Sequence, residues 1–307
     1  MYDLKLDEFY FNDSAMTQEL KSIDLSSLKN GKNIRAKLLA ITGEIFDISL
    51  DDCKKLGRVV EMVHNATLTH DDVIDNSNTR RNAPSVPALI NNKKSVLVGD
   101  YMLAKALHEL SDFQNPTLTQ ELTLTLKELV EGEWIQYENT NPYEITTSLY
   151  ETLAIKKTGS LFRWCFLAPI IHSDPKSKHY ELLKEFGEKL GIIFQMTDDI
   201  IDFNPESKKT FGLDFRNNNI NFVMHFIGRD YPELRVQFLR CDSFSDLTKT
   251  EQAYFESAIV QAKAVVQNYL TACHSILNTL ETSIASDKMA KLDEFRNLLK
   301  IITQRVS

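Results

Sequence analysis

Glycine and proline are scarce in this chain, with 10 and 8 residues among 307. Few breakers mean few turns, which favours long helices over many short strands. Cysteine is rarer still, at 4, and Cys53, Cys165, Cys241 and Cys273 lie far apart with no CxxC pair. That spacing excludes a zinc ribbon or a redox dithiol, and reduced thiols in a cytoplasmic protein are expected. No run approaches about 18 uncharged apolar residues, so no transmembrane helix is expected. The opening MYDLKLDEFYFND lacks a cationic start leading into an apolar core, so no signal peptide is expected either. Basic residues are outnumbered, 35 Lys and Arg against 43 Asp and Glu, for a formal net charge of −8. That balance excludes bulk nucleic-acid binding, which needs a basic surface. A peripheral contact with a membrane is compatible with all of these absences.

What is present is an ordinary soluble balance, 43% hydrophobic and 25% charged residues. Apolar residues recur at three-to-four spacing in segment after segment. Ile34 to Phe46 is largely apolar and rich in Ala and Leu. Leu56, Val59, Val60, Val63, Ala66 and Thr67 form one stripe, and SVLVGDYMLAKALHEL, TLTLKELVEGEWIQYE and YELLKEFGEKLGIIFQMTDDIID repeat the period. Pro169 is expected to kink a buried helix without ending it. Gly187 and Gly191 would allow close helix approach, and the tail from Thr250 to Arg305 reads as two helices around ETSIASDK. No run alternates as a strand would. The reading is one all-α domain over residues 1–307 with ten or more helices.

Within this pattern HDDVID crowds Asp71, Asp72 and Asp75 into five residues, and Arg80 and Arg81 follow. On a helix, i and i+4 share a face, so Asp71 and Asp75 point the same way. TDDIID repeats the arrangement with Asp198, Asp199 and Asp202. One such cluster is also what a solvated helix end looks like. Two, each after a long apolar stripe, point to cages for divalent cations. Oxygen-only donors suit Mg²⁺, which binds through one or two carboxylates plus substrate phosphates. The paired arginines would then hold phosphate oxygens, which their planar fork suits. Glu61 to His64 spells Glu-x-x-His, as in di-iron bundles, but that site needs two copies and the chain has one.

These motifs resemble those of the trans-isoprenyl diphosphate synthases, the polyprenyl synthetases. NGKNIRA is similar to the family's G-K-R-x-R-P, VHNATLTHDDVID to I-H-x-A-S-L-x-H-D-D-x-x-D, and VGDYMLAKAL to G-D-x-L-x-x-x-A. IKKTGSLF resembles K-T-A-x-L, FQMTDDIID resembles F-Q-x-x-D-D-x-x-D, and KTFGLD resembles the K-x-x-G-x-D that follows. The resemblance spans nearly the whole chain and is most like medium- and long-chain bacterial members such as octaprenyl diphosphate synthase. It implies an all-α domain around a central substrate cavity, the isoprenoid synthase fold, commonly as a homodimer. It implies condensation of isopentenyl diphosphate with an allylic diphosphate, farnesyl or geranyl, by ionisation, condensation and elimination.

By matching position, the resemblance makes Asp71, Asp75 and Asp198 direct Mg²⁺ ligands, with Asp72, Asp199 and Asp202 in or beside the metal site. Lys32, Arg35, His64 and Arg81 would form the isopentenyl diphosphate pocket. Arg80, Lys157, Thr158, Gln195 and Lys209 would contact the allylic diphosphate, Lys157 among the catalytic groups. Plainer readings exist for each. Lys32 and Arg35 could be solvated, His64 a satisfied core histidine, Gln195 an amide bonded to a neighbouring helix, and Lys157 the second of two surface lysines.

The chain departs from the family at Asn33, in place of a basic residue, and at Ala36, in place of proline. Asn217, Asn218 and Asn219 stand where Glu-Gly-Lys would be, so a phosphate-binding lysine is missing at Asn219. That departure favours a second reading, a non-catalytic or regulatory subunit of a heteromeric synthase. A terpene cyclase would not carry two D-D-x-x-D clusters. Chain length turns on residues one helical turn, about 5.4 Å, before the first aspartate. In the family, bulky aromatics there stop the product short. Ala66 and Thr67 are small, so a product longer than C20 is expected, of the octaprenyl kind used for quinone tails. The tunnel floor would then lie deeper, at Leu126, Leu129 or Trp134. A short-chain C15–C20 synthase is the alternative.

Overall fold

The computed structural model of the chain describes residues 26–29, 31–139, 141, 145–203, 212, 219–234 and 243–305. Among the described residues the structure is all-α apart from one pair of two-residue strands. Two compact units are formed, one by Met1–Leu122 with Cys165–Ser177 and the other by Thr123–Trp164 with Lys178–Ser307.

The first unit opens with α1 (Ser26–Lys29) and α2 (Ile34–Ile45), followed by α3 (Leu50–Ile74). The start of α3 is set locally. The Ser49 hydroxyl accepts the Asp52 N–H at 3.1 Å, and Asp51 and Asp52 favour the positive end of the helix. The apolar stripe then disappears from solvent, with Leu56, Val59, Val60, Val63 and Ala66 fully buried. It packs on α2 and on α5 (Asn92–Ser111), which offers Val98, Met102, Ala106 and Leu110 at four-residue spacing. Each such Val, Leu or Met side chain contributes roughly 1.5–3 kcal/mol by leaving water.

Between α3 and α5 lie α4 (Val86–Leu89) and a hairpin the sequence did not announce. β1 (Thr79–Arg80) pairs antiparallel with β2 (Ala83–Pro84) across a two-residue turn. Both turn residues, Arg81 and Asn82, have positive φ, 53° and 61°. That is the mirror-image turn that fits strand twist, usually built from Asn-Gly. A strand of two residues is too short for alternation to reveal.

The second unit holds most of α6 (Pro116–Glu138), then α7 (Thr147–Ala154), a wide π turn at Ile155–Gly159, the start of α8 (Ser160–Ser173), and α9 (Tyr180–Asp202). It continues with α10 (Phe222–Asp230), α11 (Lys249–Glu281) and α12 (Met289–Thr303). Thr248 and Glu251 form a reciprocal capping box that starts α11. The α9 helix packs along α11, and both are buried along that stretch, α9 at Leu183, Phe186, Leu190, Ile193 and Met196 and α11 at Ala258, Ala262 and Leu277. A Cβ on Gly191 would stand 2.2 Å from Gly159 Cα, so only glycine lets α9 touch the π turn.

Helix α8 continues past Pro169, and every residue from Leu161 to Ile171 is buried. A helix apolar on all sides is buried on all sides. Its one charge there, Arg163, is neutralised by Glu128 at 2.6 Å and Glu188 at 3.2 Å. Burial pushes the Cys53 thiol up to about 11, Cys273 up to about 12 and Cys165 further, so these three are inert reduced thiols. Cys241 lies outside the described residues. Among the described residues, no helix is long and apolar enough to cross a membrane.

Candidate active site

Both long helices end badly in electrostatic terms. The C-terminus of a helix carries negative partial charge, which acidic side chains worsen. Yet α3 ends in Asp71, Asp72 and Asp75 and α9 ends in Asp198, Asp199 and Asp202, with no basic residue in either last turn. Each end has to be stabilised by cations or hydrogen-bond donors from elsewhere.

At the end of α3 the three carboxylates divide. Asp72 is buried, and its Oδ1 accepts from Arg80 Nε at 3.0 Å and Nη2 at 2.5 Å. Burial raises the Asp72 pKa and Arg80 pulls it back. Arg80 is therefore engaged with Asp72. Asp75 caps the helix and is exposed, while Asp71, one turn before it, is half-buried. The hairpin turn sends Arg81 the other way, where Nη1 donates to the Ser27 and Leu28 carbonyls at 3.2 and 3.3 Å. Nη2 of Arg81 comes within 3.5 Å of His64 Nε2. Burial first, then Arg35, Arg81 and Arg80, push the His64 pKa well below its ordinary value. The field of Arg35, Arg81 and Arg80 and burial together favour the neutral form of His64, and the same cations would attract an anion. Lys32, just before α2, is exposed, and Arg35, in its first turn, is half-buried.

The two departures near Arg35 have local reasons. Asn33 has φ 49°, a left-handed conformation that asparagine tolerates better than a long basic side chain. Ala36 donates its N–H to Glu61 Oε1 at 3.0 Å, a bond proline could not make. Glu61 is buried, and desolvation raises its pKa against the pull of Arg35 and this bond. Behind the aspartates, His70 Nε2 lies 3.2 Å from Asp100 Oδ1 on α5, and Gly99 leaves room for the ring.

In the second unit the same division recurs. Asp199 is buried and accepts from Tyr150 Oη at 2.7 Å, from the Phe222 N–H at 2.8 Å and from Gln195 Nε2 at 3.0 Å. Gln195 in turn accepts from Thr158 Oγ1 at 2.8 Å, so the π turn on one side and Asp199 of its own helix on the other satisfy this half-buried amide. Asp202 is buried too. Asp198 is the accessible one, and its Oδ1 accepts from Arg305 Nη2 at 2.8 Å. Lys157 stands on the π turn and donates to Gln136 Oε1 at 2.8 Å, with Glu133 at 2.6 Å. Lys156 turns to Glu131. Gly132 makes room for the Lys157 backbone, 2.7 Å from where its Cβ would be. Lys209 lies outside the described residues.

The Polyprenyl synthetase family model matches residues 18–256. The chain belongs to that family. Among its relatives is a decaprenyl-diphosphate synthase of Dictyostelium discoideum, 33% identical over 227 residues, 73% of this chain and 49% of the relative. Another is heptaprenyl diphosphate synthase component 2 of Bacillus subtilis, 29% identical over 272 residues, 86% of this chain and 78% of the relative. The chain thus spans about half the length of the first and more of the second. The crystal structure of a decaprenyl diphosphate synthase from Rhodobacter capsulatus shares the fold, with TM-score 0.82 at 23% identity, over 99% of this chain and 94% of that one. The polyprenyl synthetase fold therefore carries both acidic helix ends described above.

Among the described residues, no group of three or more His, Cys, Asp or Glu side chains is gathered closely enough to hold a metal alone. Mg²⁺ does not require one, since one or two carboxylates and substrate phosphates suffice. Asp71 with Asp75, and separately Asp198, are donors of that kind. Sequence reasoning missed Gln136, Tyr150, Asn221 and Arg305, and it weighed Glu61 only as half of a di-iron motif. Asn221 caps α10 by accepting from Val223 N–H at 2.9 Å, and it donates to the Asp199 carbonyl at 3.2 Å. The only local signal was the polar residue before an apolar helix. The others declare themselves through partners distant in sequence.

Proposed function

We propose that this polyprenyl synthetase is a trans-polyprenyl diphosphate synthase. It would condense isopentenyl diphosphate with farnesyl or geranyl diphosphate and extend the all-trans product beyond C20, as in octaprenyl diphosphate for quinone tails. The observation that carries this is the paired acidic helix end. In each cluster one carboxylate is locked inward, Asp72 on Arg80 and Asp199 on Tyr150, while Asp75 is exposed and Asp71 and Asp198 are half-buried. The locked residues brace the helix ends and the accessible ones would hold Mg²⁺. The metal, when bound, supplies the positive charge that favours departure of a diphosphate.

The residues then have distinct tasks. Lys157 and Thr158 on the π turn would bind the allylic diphosphate, with Gln195 fixing Thr158 and Lys209 assigned there by its motif. Arg35, His64 and Arg81, with Lys32, would bind isopentenyl diphosphate, and a neutral His64 can donate one hydrogen bond without adding charge. The allylic C–O bond breaks with its electron pair going to the diphosphate. The isopentenyl double bond attacks the resulting carbocation to form the new C–C bond. A proton then leaves the adjacent carbon for the released diphosphate and restores an alkene.

The whole chain is read as one synthase domain, since the family match runs through segments of both units. A homodimer, a cytoplasmic location and a peripheral membrane contact for product release complete the proposal. The test is to incubate the purified chain with isopentenyl and farnesyl diphosphates and Mg²⁺ and to read product length by chromatography. Elongation beyond C20 that disappears in Asp71→Ala and Asp198→Ala is the expected result. A ladder ending at C15–C20 assigns the short-chain alternative, and prenyl transfer undiminished without Mg²⁺ overturns the reading. A second reading, a subunit of a two-component synthase, draws on the missing lysine at Asn219 and on the relative named as a component. Inactivity until a second chain is added would select it.

A further inference from the structure

Asn219, where the family carries a lysine, is joined to Lys157 through a single amide. Lys157 Nζ donates to Gln136 Oε1 at 2.8 Å, and Gln136 Nε2 donates to Asn219 Oδ1 at 2.7 Å. The polarity of this chain is fixed at one end. An ammonium has three donors and no acceptor, so Gln136 has to give it the carbonyl oxygen. The amide nitrogen of Gln136 then points away from Lys157 and requires an acceptor, which the Asn219 side-chain carbonyl supplies. All three side chains are partly buried, where an unmade hydrogen bond costs more than at the surface.

A lysine at 219 could not do this. It would set donor against donor at Gln136 Nε2, or force the amide to flip and present its nitrogen to Lys157. It would also put a second cation beside the first. Helix α6 supplies the rest of the mount, with Glu133 pairing Lys157 and Gly132 admitting its backbone. Asn219 is itself placed by the cap two residues on, where Asn221 fastens the start of α10 to Asp199.

We infer that Asn219 is a positioning residue, which orients Gln136 so that its carbonyl holds Lys157 toward the allylic diphosphate. This rests on the proposed function and goes further, because it makes the departure from the family a working part of this site. The lysine's absence is then compensated by a better-ordered Lys157, with no need of a partner subunit.

The experiment compares Asn219→Lys, Asn219→Leu, Asn219→Asp, Gln136→Leu and the Asn219→Leu/Gln136→Leu double variant. Binding of farnesyl thiodiphosphate, an unreactive probe, is measured calorimetrically with Mg²⁺. The KM for each substrate and thermal melting are measured alongside. Asn219→Lys and Asn219→Leu are expected to weaken probe binding and raise the allylic KM roughly tenfold, with the isopentenyl KM unchanged. Asn219→Asp keeps the acceptor and is expected to return binding to within about twofold. The double variant is expected to be no worse than Gln136→Leu alone, because both cut one chain. Wild-type or tighter probe binding by Asn219→Lys, additive losses in the double variant, or equal losses for both substrates would overturn the inference. If the wild-type chain elongates while these results go against it, only the inference falls. If the wild-type chain binds no allylic diphosphate probe, the proposed function falls and takes the inference with it.

Discussion

Ala36 shows how one residue can be misjudged from its neighbours in sequence. It stands where the resembling family has proline, which reads as a weakened anion pocket. In the fold its N–H is the hydrogen-bond donor to buried Glu61. Proline would fit the first turn of α2 but would remove that donor. Ala36→Pro is therefore expected to cost about 1–3 kcal/mol in unfolding free energy, the range for stranding a buried polar group. Burial already raises the Glu61 pKa in the folded chain above its unfolded value. A carboxyl raised in this way is penalised once pH climbs past its unfolded pKa and is spared below it. The deficit of Ala36→Pro should accordingly shrink as denaturation is followed from neutral pH down into the glutamate range. A deficit that stays constant with pH would remove Glu61 from the explanation. Gln195 is the simpler lesson. Its polarity within an apolar run promised a partner, and only the fold could say that Thr158 and Asp199 fill that role.

At the scale of elements, the apolar period placed the long helices well. Stripes at three-to-four spacing are local properties of the chain, and α3, α5, α6 and α9 follow them closely. Pro169 lies inside α8 as expected, because burial on every side holds that helix together. The hairpin and the π turn were invisible. The first is too short to alternate, and the second depends on Gly132 and Gly191 admitting its backbone from two other helices. Position along α3 also sharpens the chain-length argument. Ala66 is fully buried, so phenylalanine there would have to displace packed atoms at about 1–3 kcal/mol. Thr67 is partly exposed, with its hydroxyl turned back on the His64 carbonyl at 2.9 Å. Thr67→Phe is thus the cleaner test and should shorten the longest product by at least one isoprene unit on chromatography. An unchanged ladder would take the product tunnel away from α3 and leave the enzyme class standing.

For the whole molecule, the surface of α6 is the feature that composition could not foretell. Val130, Trp134 and Tyr137 are 68%, 62% and 71% exposed and lie one helical turn apart in sequence. Large apolar side chains left open in a row mark a surface meant to be covered. The proposed homodimer would cover them, and Trp134, offered by sequence as a deeper tunnel floor, is better placed for that. Trp134→Glu is expected to shift wild-type dimers to monomers in sedimentation, with far-UV circular dichroism unchanged because the side chain is already exposed in one chain. A dimer that survives the substitution would move the interface elsewhere, and a monomeric wild type would end the homodimer proposal.

By itself the sequence determined the helical architecture and the two acidic helix ends. Period and charge are written in consecutive residues, and a helix end has the same dipole wherever it packs. Tertiary structure alone decided which carboxylates stay accessible, that Arg80 belongs to Asp72, and that Asn219 reaches Lys157 through Gln136. Those are choices of partner between residues far apart in the chain. Hydrogen-bond geometry and burial set them, and neither exists until the helices have packed.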